Sequence, residues 1–368
     1  MLTDVDKLYL TTAFALAERG MYTTSPNPRV GCVLVRDGKV LGRGWHIRTG
    51  HGHAEANALA NAAANGVADV SGATAYVSLE PCAFHGRTPS CARTLVEQHI
   101  TRVVLGGLDP HPKVSGEGVR ILTDAGIKVD VAPDDLNVDL NPGQRVRFTQ
   151  ARPYVRLKIA ASIDGRTAMA SGESQWITSA PARADVQSFR ARSCAVITGN
   201  GTLKADNPTL NVRDDAYAVD GYLRQPLRVV VASDGDVSGA TNLLAAPGPV
   251  LVAHTASRVK KTVKIKREGL EWVACGEAQI DLKTLLAHLA ERDCNEVLVE
   301  AGPRLTGSFL DQGLWDEVVL YQAPVLLGVS ARALGAFDRS TLADAVRGEL
   351  LDSVMVGPDL RVRLRAIR

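Results

Sequence analysis

Three potential metal ligands lie far apart in the first hundred residues, and they constrain the fold more than any other feature of the chain. His53 stands two residues before Glu55, Cys82 follows much later, directly after a proline, and Cys91 comes after a further loop. One imidazole and two thiolates can hold a tetrahedral zinc ion while one position stays open for water. A glutamate beside the histidine can move the proton of that water. The spacing therefore predicts a fold that gathers these residues into a hydrolytic zinc site.

Two other interpretations of these residues stay open at this point. The cysteines could be small buried hydrophobic residues, with His53 capping a helix. The zinc could also be structural, but structural sites usually have four protein ligands, and only three are in register here. The order H-x-E, then P-C, then C is typical of zinc deaminases, although the gap between the cysteines is longer than in their usual C-x-x-C. We therefore favour a catalytic zinc, with Glu55 as acid and base.

The residues around these ligands carry weaker signals. Cys82 follows Pro81, which suits the first turn of a helix, and a helix N-terminus would lower the pKa of the Cys82 thiol. His51 is predicted either in an exposed loop or beside the ligands. His85 is predicted either to meet the substrate or to bond within its own turn. Cys32 shares a strand face with apolar neighbours, so we expect it to pack in a sheet.

The length and composition fit a globular protein of two domains. The chain has 368 residues, of which 45% are hydrophobic and 22% are charged,. Lysine and arginine number 42 against 40 acidic residues, and this near balance argues against nucleic acid as a partner,. The six cysteines are scattered, no signal segment is visible, and no apolar run reaches the roughly 20 residues that span a bilayer,. We expect a cytoplasmic protein with no membrane partner.

Helix and strand patterns alternate in the first part of the chain, which predicts a layered α/β domain. Helices are predicted at residues 3–19, 53–65, 91–99 and 118–125, and strands at 29–35, 40–45, 74–79, 103–106 and 127–131. In the second helix, the positions expected to face a sheet are Ala56, Leu59, Ala60 and Ala63. A seam rich in proline, glycine and asparagine follows at 133–143. It predicts domains at residues 1–147 and 148–368.

The second part alternates in the same way. Strands are predicted at residues 153–159, 195–198, 227–232, 250–253, 296–299 and 317–321, and helices at 182–191, 282–291 and 305–312. Gly302 stands in a turn between a strand and a helix, where bare amides at the helix start suit a phosphate. Ordinary α/β packing explains such a turn equally well, and no well-placed G-x-G-x-x-G fingerprint of a Rossmann fold is present.

Several segments resemble the bifunctional riboflavin-biosynthesis deaminase/reductase family. They are PNPRVGC at 26–32, HAE at 53–55 and LEPCAFHGRTPSC at 79–91, together with three stretches of the second part. The third segment separates this family from tRNA, cytidine and guanine deaminases, which close with a short C-x-x-C. Phe84 stands where a histidine is common, and Ser90 and Gly52 stand where prolines are common. None of these three is a metal ligand.

For the first domain, the resemblance implies a cytidine-deaminase-like three-layer α/β/α fold. It implies zinc bound by His53, Cys82 and Cys91, with Glu55 as the proton shuttle. Asn27 is expected to contact the substrate. The implied substrate is a small pyrimidine nucleotide, a diaminopyrimidinone ribosylamine phosphate, which loses its 2-amino group as ammonia.

For the second domain, the resemblance implies a fold similar to dihydrofolate reductase, which uses NADPH to reduce the opened ribose to ribitol. Cofactor contacts are expected at Ala160, Trp176, Thr202, Asp206, Ser233, Gly302, Pro303, Arg304, Leu305, Thr306, Gly307 and Ser308. Substrate contacts are expected at Lys158, Ser174, Arg190, Leu210, Arg213 and Glu300. Family members are commonly dimers or tetramers, so a homo-oligomer is expected.

The residues of the second domain partly support these roles on their own. Arg190 and Arg213 are cations suited to a sugar phosphate, because guanidinium groups bind phosphate bidentately. Without the family, Arg190 could lie on a solvated helix face, Asp206 in a turn, and Trp176 in the core. A nucleic-acid base editor is the main rival, but it would need a basic channel, and the net charge of +2 argues against one,.

Overall fold

The structure is a computed structural model that describes residues 2–84, 89–112, 114–133, 139–258, 265 and 267–367. The chain forms two compact units, one of residues 1–151 and 218–222, the other of residues 152–217 and 223–368. Asn141 ties the segment before this division to the first unit. Its side chain accepts a hydrogen bond from the Arg29 amide at 2.8 Å and donates one to the Arg29 carbonyl at 2.9 Å.

Helices and strands alternate through the first unit as predicted. In chain order, the elements are α1 (Asp4–Glu18), β1 (Gly31–Arg36), β2 (Lys39–Trp45), α2 (Ala54–Ala64), β3 (Thr74–Val77), α3 (Cys91–Glu97), β4 (Arg102–Leu105), α4 (Glu117–Asp124), β5 (Lys128–Val131) and α5 (Pro142–Gln150). Helix α5 occupies part of the predicted seam. Pro142 stands at its start, where a proline needs no hydrogen-bond partner and its fixed φ already suits a helix,.

The first unit has the predicted three-layer α/β/α architecture. The strands run in the order β2-β1-β3-β4-β5, antiparallel from β2 to β3 and parallel from β3 to β5. On one face, Leu10 and Ala13 of α1 pack on Val33, and on the other face Cys32 packs with the buried residues of α2, α3 and α4. Cys32 is therefore a packing residue, as its strand position indicated.

Helix α2 turns a different face to the sheet from the predicted one. Ala54, Ala58 and Ala62 are buried, whereas Ala56, Ala60 and Ala63 are exposed and Leu59 is half-buried. The reason lies in β2, because a Cβ on Gly42 or on Gly44 would fall 2.2 Å from backbone atoms of Ala58. Two glycines facing alanines let the helix approach the strand closely. In a helix with alanines on every side, hydrophobicity alone could not identify this face.

The second unit begins with a long strand and ends with a hairpin. Its elements are β6 (Tyr154–Ser162), β7 (Arg166–Ala168), α6 (Ala180–Arg192), β8 (Ala195–Gly199), α7 (Asn200–Asp206), β9 (Leu227–Val231), α8 (Thr241–Ala245), β10 (Val250–His254), β11 (Leu270–Ala274), α9 (Leu282–Glu291), β12 (Glu296–Glu300), α10 (Pro303–Asp311), β13 (Glu317–Ala323), β14 (Arg332–Ala333), β15 (Gly348–Val356) and β16 (Asp359–Ala366). The predicted strands and helices are present. The sequence patterns did not predict the strands β7, β11 and β14, the helices α7 and α8, or the β15–β16 hairpin.

The main sheet of the second unit is largely parallel and covered on both faces. Its order is β11-β10-β9-β8-β12-β6-β13-β16-β15, with β16 antiparallel to β13 and β15 antiparallel to β16. Helices α9 and α10 pack on one face, and α6, α7 and α8 pack on the other. Ligands bind such sheets at the carboxyl ends of the strands. None of the helices in the described residues is long and apolar enough to cross a membrane.

Candidate functional site

The predicted metal ligands converge in the first unit. His53 is the N-cap residue of α2, Cys91 is the first residue of α3, and Cys82 lies in the segment that follows β3. His53 Nδ1 lies 3.6 Å from Cys82 Sγ and 3.3 Å from Cys91 Sγ, and the three ligand atoms all lie within 4.8 Å of one another. A tetrahedral zinc ion separates such ligand atoms by roughly 3.5–3.8 Å. The donor set and its spacing therefore fit zinc.

The prediction that Cys82 begins a helix is wrong. The Cys82 sulfur nevertheless accepts a hydrogen bond from the first residue of a helix, α3. Residues 78–84 contain no helix, and the helix instead starts at Cys91, whose amide donates to Cys82 Sγ at 3.3 Å. Ser90 caps this helix, and its hydroxyl donates to the Cys82 carbonyl at 2.8 Å. The hydrogen bond from the Cys91 thiol is the main cause that lowers the pKa of Cys82, and His53 adds to it. Cys82 is therefore prepared to act as a thiolate.

Glu55 lies in the first turn of α2, beside the ligands but outside the cluster of three. Its side chain is almost fully buried, with 3% exposure. Burial raises the pKa of the Glu55 carboxyl, and the neighbouring Cys82 raises it further. A carboxyl whose pKa lies above its ordinary range is suited to receive and return a proton near neutral pH.

His46 is a residue of this site that the sequence analysis missed. It is buried, and its ring meets that of His53 edge-on with centroids 5.2 Å apart. Its Nε2 lies 3.2 Å from the Asn27 amide nitrogen, and its Nδ1 lies 3.0 Å from the Gly52 carbonyl. Burial lowers the pKa of His46 to about 4, so the ring is neutral at physiological pH. His46 directly follows β2 and belongs to no recognisable motif, so the sequence alone does not indicate that it lies at the site.

Three further residues near this site were noted in the sequence: His51, Phe84 and His85. His51 is exposed, and its ring nitrogen accepts a hydrogen bond from Arg48 at 3.0 Å, so it takes the loop role rather than a place among the ligands. Phe84 is exposed, with its ring 6.2 Å from that of His111. His85 lies outside the described residues.

Glu80, two residues before Cys82, anchors the segment that carries this ligand. It is buried, and its two carboxylate oxygens accept hydrogen bonds from the backbone amides of Asp109, Gly116 and Val119 at 3.0–3.2 Å. Hydrogen bonds to a charged group are stronger than neutral ones. The carboxylate therefore fixes the end of β3 against the start of α4.

Replacing Glu80 with glutamine should destabilise the first unit by about 2–4 kcal/mol, because an amide nitrogen would then face at least one of these N–H groups. We expect less zinc to remain bound after dialysis, since Cys82 would lose its fixed position. Thermal unfolding and metal analysis check this. Glu117→Gln is the matched control, because Glu117 is exposed and pairs only with Arg120 in the described structure. Equal stability and zinc content in the two variants would contradict the anchoring role.

The second unit has a cavity of about 1630 Å³ at the carboxyl edge of its sheet. This volume exceeds the roughly 300–1,000 Å³ of a pocket for one small ligand, so a dinucleotide and a second molecule can share it. Ten of the predicted cofactor residues line it: Ala160, Trp176, Thr202, Asp206, Ser233, Gly302, Pro303, Arg304, Leu305 and Ser308. All six predicted substrate residues of this unit also line it: Lys158, Ser174, Arg190, Leu210, Arg213 and Glu300.

Thr306 and Gly307 do not line the cavity, because they lie on the packed side of α10. The Thr306 hydroxyl donates to the Ala301 carbonyl at 3.3 Å. A Cβ on Gly307 would fall 2.4 Å from the Ala336 carbonyl oxygen, so this glycine permits close packing. The N-cap residue Gly302 has no capping side chain, so the first-turn amides of α10 remain suited to a phosphate,.

Arg190 and Glu300, which both line this cavity, form a bidentate ion pair. Arg190 Nε lies 2.5 Å from Glu300 Oε1 and Nη2 lies 2.9 Å from Oε2, and a third donor reaches the Asn211 carbonyl. Burial raises the pKa of Glu300, but the Arg190 guanidinium outweighs it and holds that pKa below its usual range. Arg190 therefore orients Glu300, and Arg213, which forms no ion pair in the described structure, is the more available cation for a phosphate.

Lys158 stands opposite Glu300 across the β6–β12 pair. Burial lowers the pKa of the Lys158 ammonium, and the nearby Glu300 carboxylate opposes that effect. A lysine with a lowered pKa can give up a proton more readily than an exposed one. The cavity thus has a buried lysine, an ion-paired carboxylate and a further cation, Arg213, at one end.

Two family models match the chain, one to each unit. The RibD C-terminal domain matches residues 153–362, and the cytidine and deoxycytidylate deaminase zinc-binding region matches residues 3–107. The chain is 42% identical over 368 residues to the riboflavin biosynthesis protein RibD of Escherichia coli (strain K12). The alignment covers 98% of this chain and 99% of that relative. It is 41% identical to RibD of Haemophilus influenzae, over 97% of this chain and 96% of the relative.

Two solved structures are similar to this chain over nearly the whole length of both proteins. RibD of Acinetobacter baumannii, form 1, has a TM-score of 0.89 at 43% identity and covers 99% of each chain. A diaminohydroxyphosphoribosylaminopyrimidine deaminase/5-amino-6-(5-phosphoribosylamino)uracil reductase from Thermotoga maritima has a TM-score of 0.86 at 30% identity, again over 99% of each chain. The zinc-type cluster in the first unit, the cavity in the second, and these full-length likenesses show that the chain belongs to the RibD family of riboflavin biosynthesis proteins, which join a deaminase to a reductase.

Proposed function

We propose that the first unit hydrolyses the 2-amino group of 2,5-diamino-6-(5-phosphoribosylamino)pyrimidin-4-one, and that the second unit reduces the ribose chain of the product. The observation that carries the proposal is the convergence of His53, Cys82 and Cys91 beside a buried Glu55. The T. maritima relative is named for both reactions. We include in the proposal a cytoplasmic location and a homo-oligomeric assembly, dimer or tetramer, as the resemblance implies.

In the first unit, His53, Cys82 and Cys91 would hold zinc. Bound zinc supplies a Lewis acid that makes a water nucleophilic near neutral pH. Glu55 accepts one proton from the attacking water and delivers it to the departing amino group. A C–O bond forms at the ring carbon, the C–N bond breaks, and ammonia leaves. The neutral His46 lies beside His53, and Asn27 contacts His46, so both can hydrogen-bond the substrate.

In the second unit, the residues lining the cavity would hold NADPH and the deaminated nucleotide together. NADPH supplies a hydride to the carbonyl carbon of the opened ribose. The carbonyl oxygen then needs one proton, and Lys158 is placed to provide it. Arg190 keeps Glu300 ionised and oriented, while Arg213 suits the phosphate of the substrate. Of the predicted cofactor residues, Thr306 and Gly307 would act only by packing α10.

Removal of the metal should separate the two activities. We expect chelator-treated protein to lose ammonia release from the diaminopyrimidinone nucleotide, and also NADPH oxidation with that substrate, because the reductase then receives no product. NADPH oxidation with the already deaminated nucleotide should continue unchanged. Ammonia release and absorbance at the NADPH band measure the two steps, and zinc added back is the control. Loss of both activities with both substrates would argue against independent sites, and ammonia release without zinc would overturn the deaminase assignment.

A further inference from the structure

The cavity of the second unit follows the sheet edge across several strands. Lys158 on β6 and Glu300 on β12 stand at one end, Ser233 follows β9, and Arg258 follows β10, and all four line the cavity. The strand order β10-β9-β8-β12-β6 places four inter-strand spacings between β10 and β6. At 4.7–4.9 Å for each spacing, the cavity spans roughly 19 Å along the edge.

This span gives the two ends of a dinucleotide different neighbours. The proposed reduction requires the reacting end beside Lys158 and Glu300. The bare amides at the start of α10 follow β12 directly, and they suit the pyrophosphate,. The adenosine half then extends over β8 and β9 toward β10. Its ribose phosphate therefore needs a cation at the β10 end.

The arginines that line the cavity divide by position. Arg190 is paired with Glu300, and Arg213 lies at that same end, where burial and then Arg190 lower its pKa. Arg304 stands in the first turn of α10, and Arg332 lies on β14 against Gly172. Arg183 of α6 stacks on the Trp176 ring at 4.3 Å. Arg258 is exposed and forms no ion pair within the described residues. Among the described arginines of the lining, it is the one that remains for the β10 end.

The neighbour of Arg258 at this end is Ser233. The backbone carbonyl of Ser233 accepts hydrogen bonds from the amide and hydroxyl of Thr255, at 3.1 and 2.9 Å, so the segments after β9 and β10 are joined. The Ser233 hydroxyl forms no hydrogen bond within the described residues, so it can donate to a ligand. Asp234 also lines this end, where a carboxylate could favour the free ribose hydroxyl of NADH. However, it accepts the Asp236 amide at 3.2 Å in a local turn.

We propose that Arg258, together with the Ser233 hydroxyl, binds the 2′-phosphate of NADPH and thereby selects NADPH over NADH. The proposal rests on the proposed reductase function of this cavity. It assigns the selectivity to one exposed side chain whose loss leaves the core intact.

Calorimetric titration of the full-length protein with 2′,5′-ADP and with 5′-AMP tests this without turnover. Wild-type protein should bind 2′,5′-ADP more tightly than 5′-AMP. Arg258→Gln should weaken 2′,5′-ADP by about 10-fold to 100-fold, as expected for the loss of a charge-assisted hydrogen-bond pair, and should leave 5′-AMP unchanged. Arg258→Lys should retain part of the preference, and the difference between wild type and Arg258→Gln should shrink as salt rises.

Lys204→Gln is the matched control. Lys204 is exposed on α7, close in sequence to Thr202 and Asp206 but outside the cavity lining, so it removes the same charge without touching the ligand. Unchanged 2′,5′-ADP affinity in Arg258→Gln, or an equal loss in Lys204→Gln, would overturn the assignment while the reductase function stands. Failure of wild-type protein to bind 2′,5′-ADP at all would count against the NADPH site itself.

Discussion

Replacing Glu55 with alanine should lower the rate of ammonia release by about 100-fold to 10,000-fold, the usual contribution of a positioned acid and base. The carboxyl is buried next to the three ligand atoms and burial raises its pKa, so its loss removes the group that suits this proton transfer. Zinc should stay bound, because Glu55 lies outside the ligand cluster. The rate should be measured by ammonia release, with zinc content determined on the same sample.

Reduction provides the internal control for this variant. NADPH oxidation with the deaminated nucleotide should match the wild type, since the reductase residues belong to the other unit. Glu55→Gln should behave like the alanine variant despite its similar shape, because an amide cannot accept the proton. Loss of zinc from both variants would make Glu55 a ligand, and near-normal ammonia release would remove it from the reaction.

Replacing Arg156 with methionine should destabilise the second unit by about 3 kcal/mol, the lower end of the cost of breaking a buried ion pair, because Glu296 would keep only Arg192 and Glu317 only Arg363 as ion-pair partners,. Arg156 lies on β6 and is fully buried. It donates to Glu296 on β12 at 2.7 Å and to Glu317 on β13 at 2.6 Å. These strands carry Lys158 and Glu300, so the ion pairs also hold the register of the reductase site. Urea unfolding at neutral pH measures the loss.

The pH dependence distinguishes this effect from a simple packing defect. Burial raises the pKa of Glu317, but Arg156 and Arg363 outweigh it and hold that pKa below its usual range. In the wild type, this carboxylate therefore adds stability above about pH 4.3, the unfolded value, and the gain is lost as the pH falls. Without Arg156, the pKa of Glu317 moves upward toward its unfolded value, although Arg363 remains paired with it, so less of this stability remains at neutral pH. The deficit of the variant should shrink toward pH 4.

A double variant completes this test. Glu317→Gln added to Arg156→Met removes one of the two carboxylates that lost the Arg156 partner, and it should recover part of the stability. A deficit that is equal at pH 4 and pH 7, with no recovery in the double variant, would mean that lost packing dominates and the charges matter little.

The sequence predicted most of the elements and the convergence of the three ligand residues, because those signals are local or strongly patterned. Alternating helices and strands follow from hydrophobic periodicity, and the order of His53, Glu55, Cys82 and Cys91 is unusual enough to indicate one site. The buried face of α2 was predicted wrongly, because the choice depends on Gly42 and Gly44 in another element. The helix start near Cys82 was also misplaced, since the capping residue is Ser90, eight residues further along the chain.

In the second unit, contacts between residues far apart in the chain could not be predicted from the sequence. Arg190 was expected to bind phosphate, yet Glu300 takes two of its donors, and no spacing along the chain reveals a partner 110 residues away. The same limit applies to His46, whose role depends on contact with Asn27 and His53. Thr306 and Gly307 were grouped with a cofactor turn, but the helix rotates them toward the core.

Zinc K-edge absorption of the purified full-length protein, together with its metal content, tests the central claim most directly. We predict one zinc per chain, with two sulfur neighbours at about 2.3 Å and the remaining neighbours nitrogen or oxygen, and one sulfur fewer in Cys82→Ser. A site with no zinc, or with a sulfur count that Cys82→Ser leaves unchanged, would contradict the proposal that His53, Cys82 and Cys91 form the hydrolytic centre.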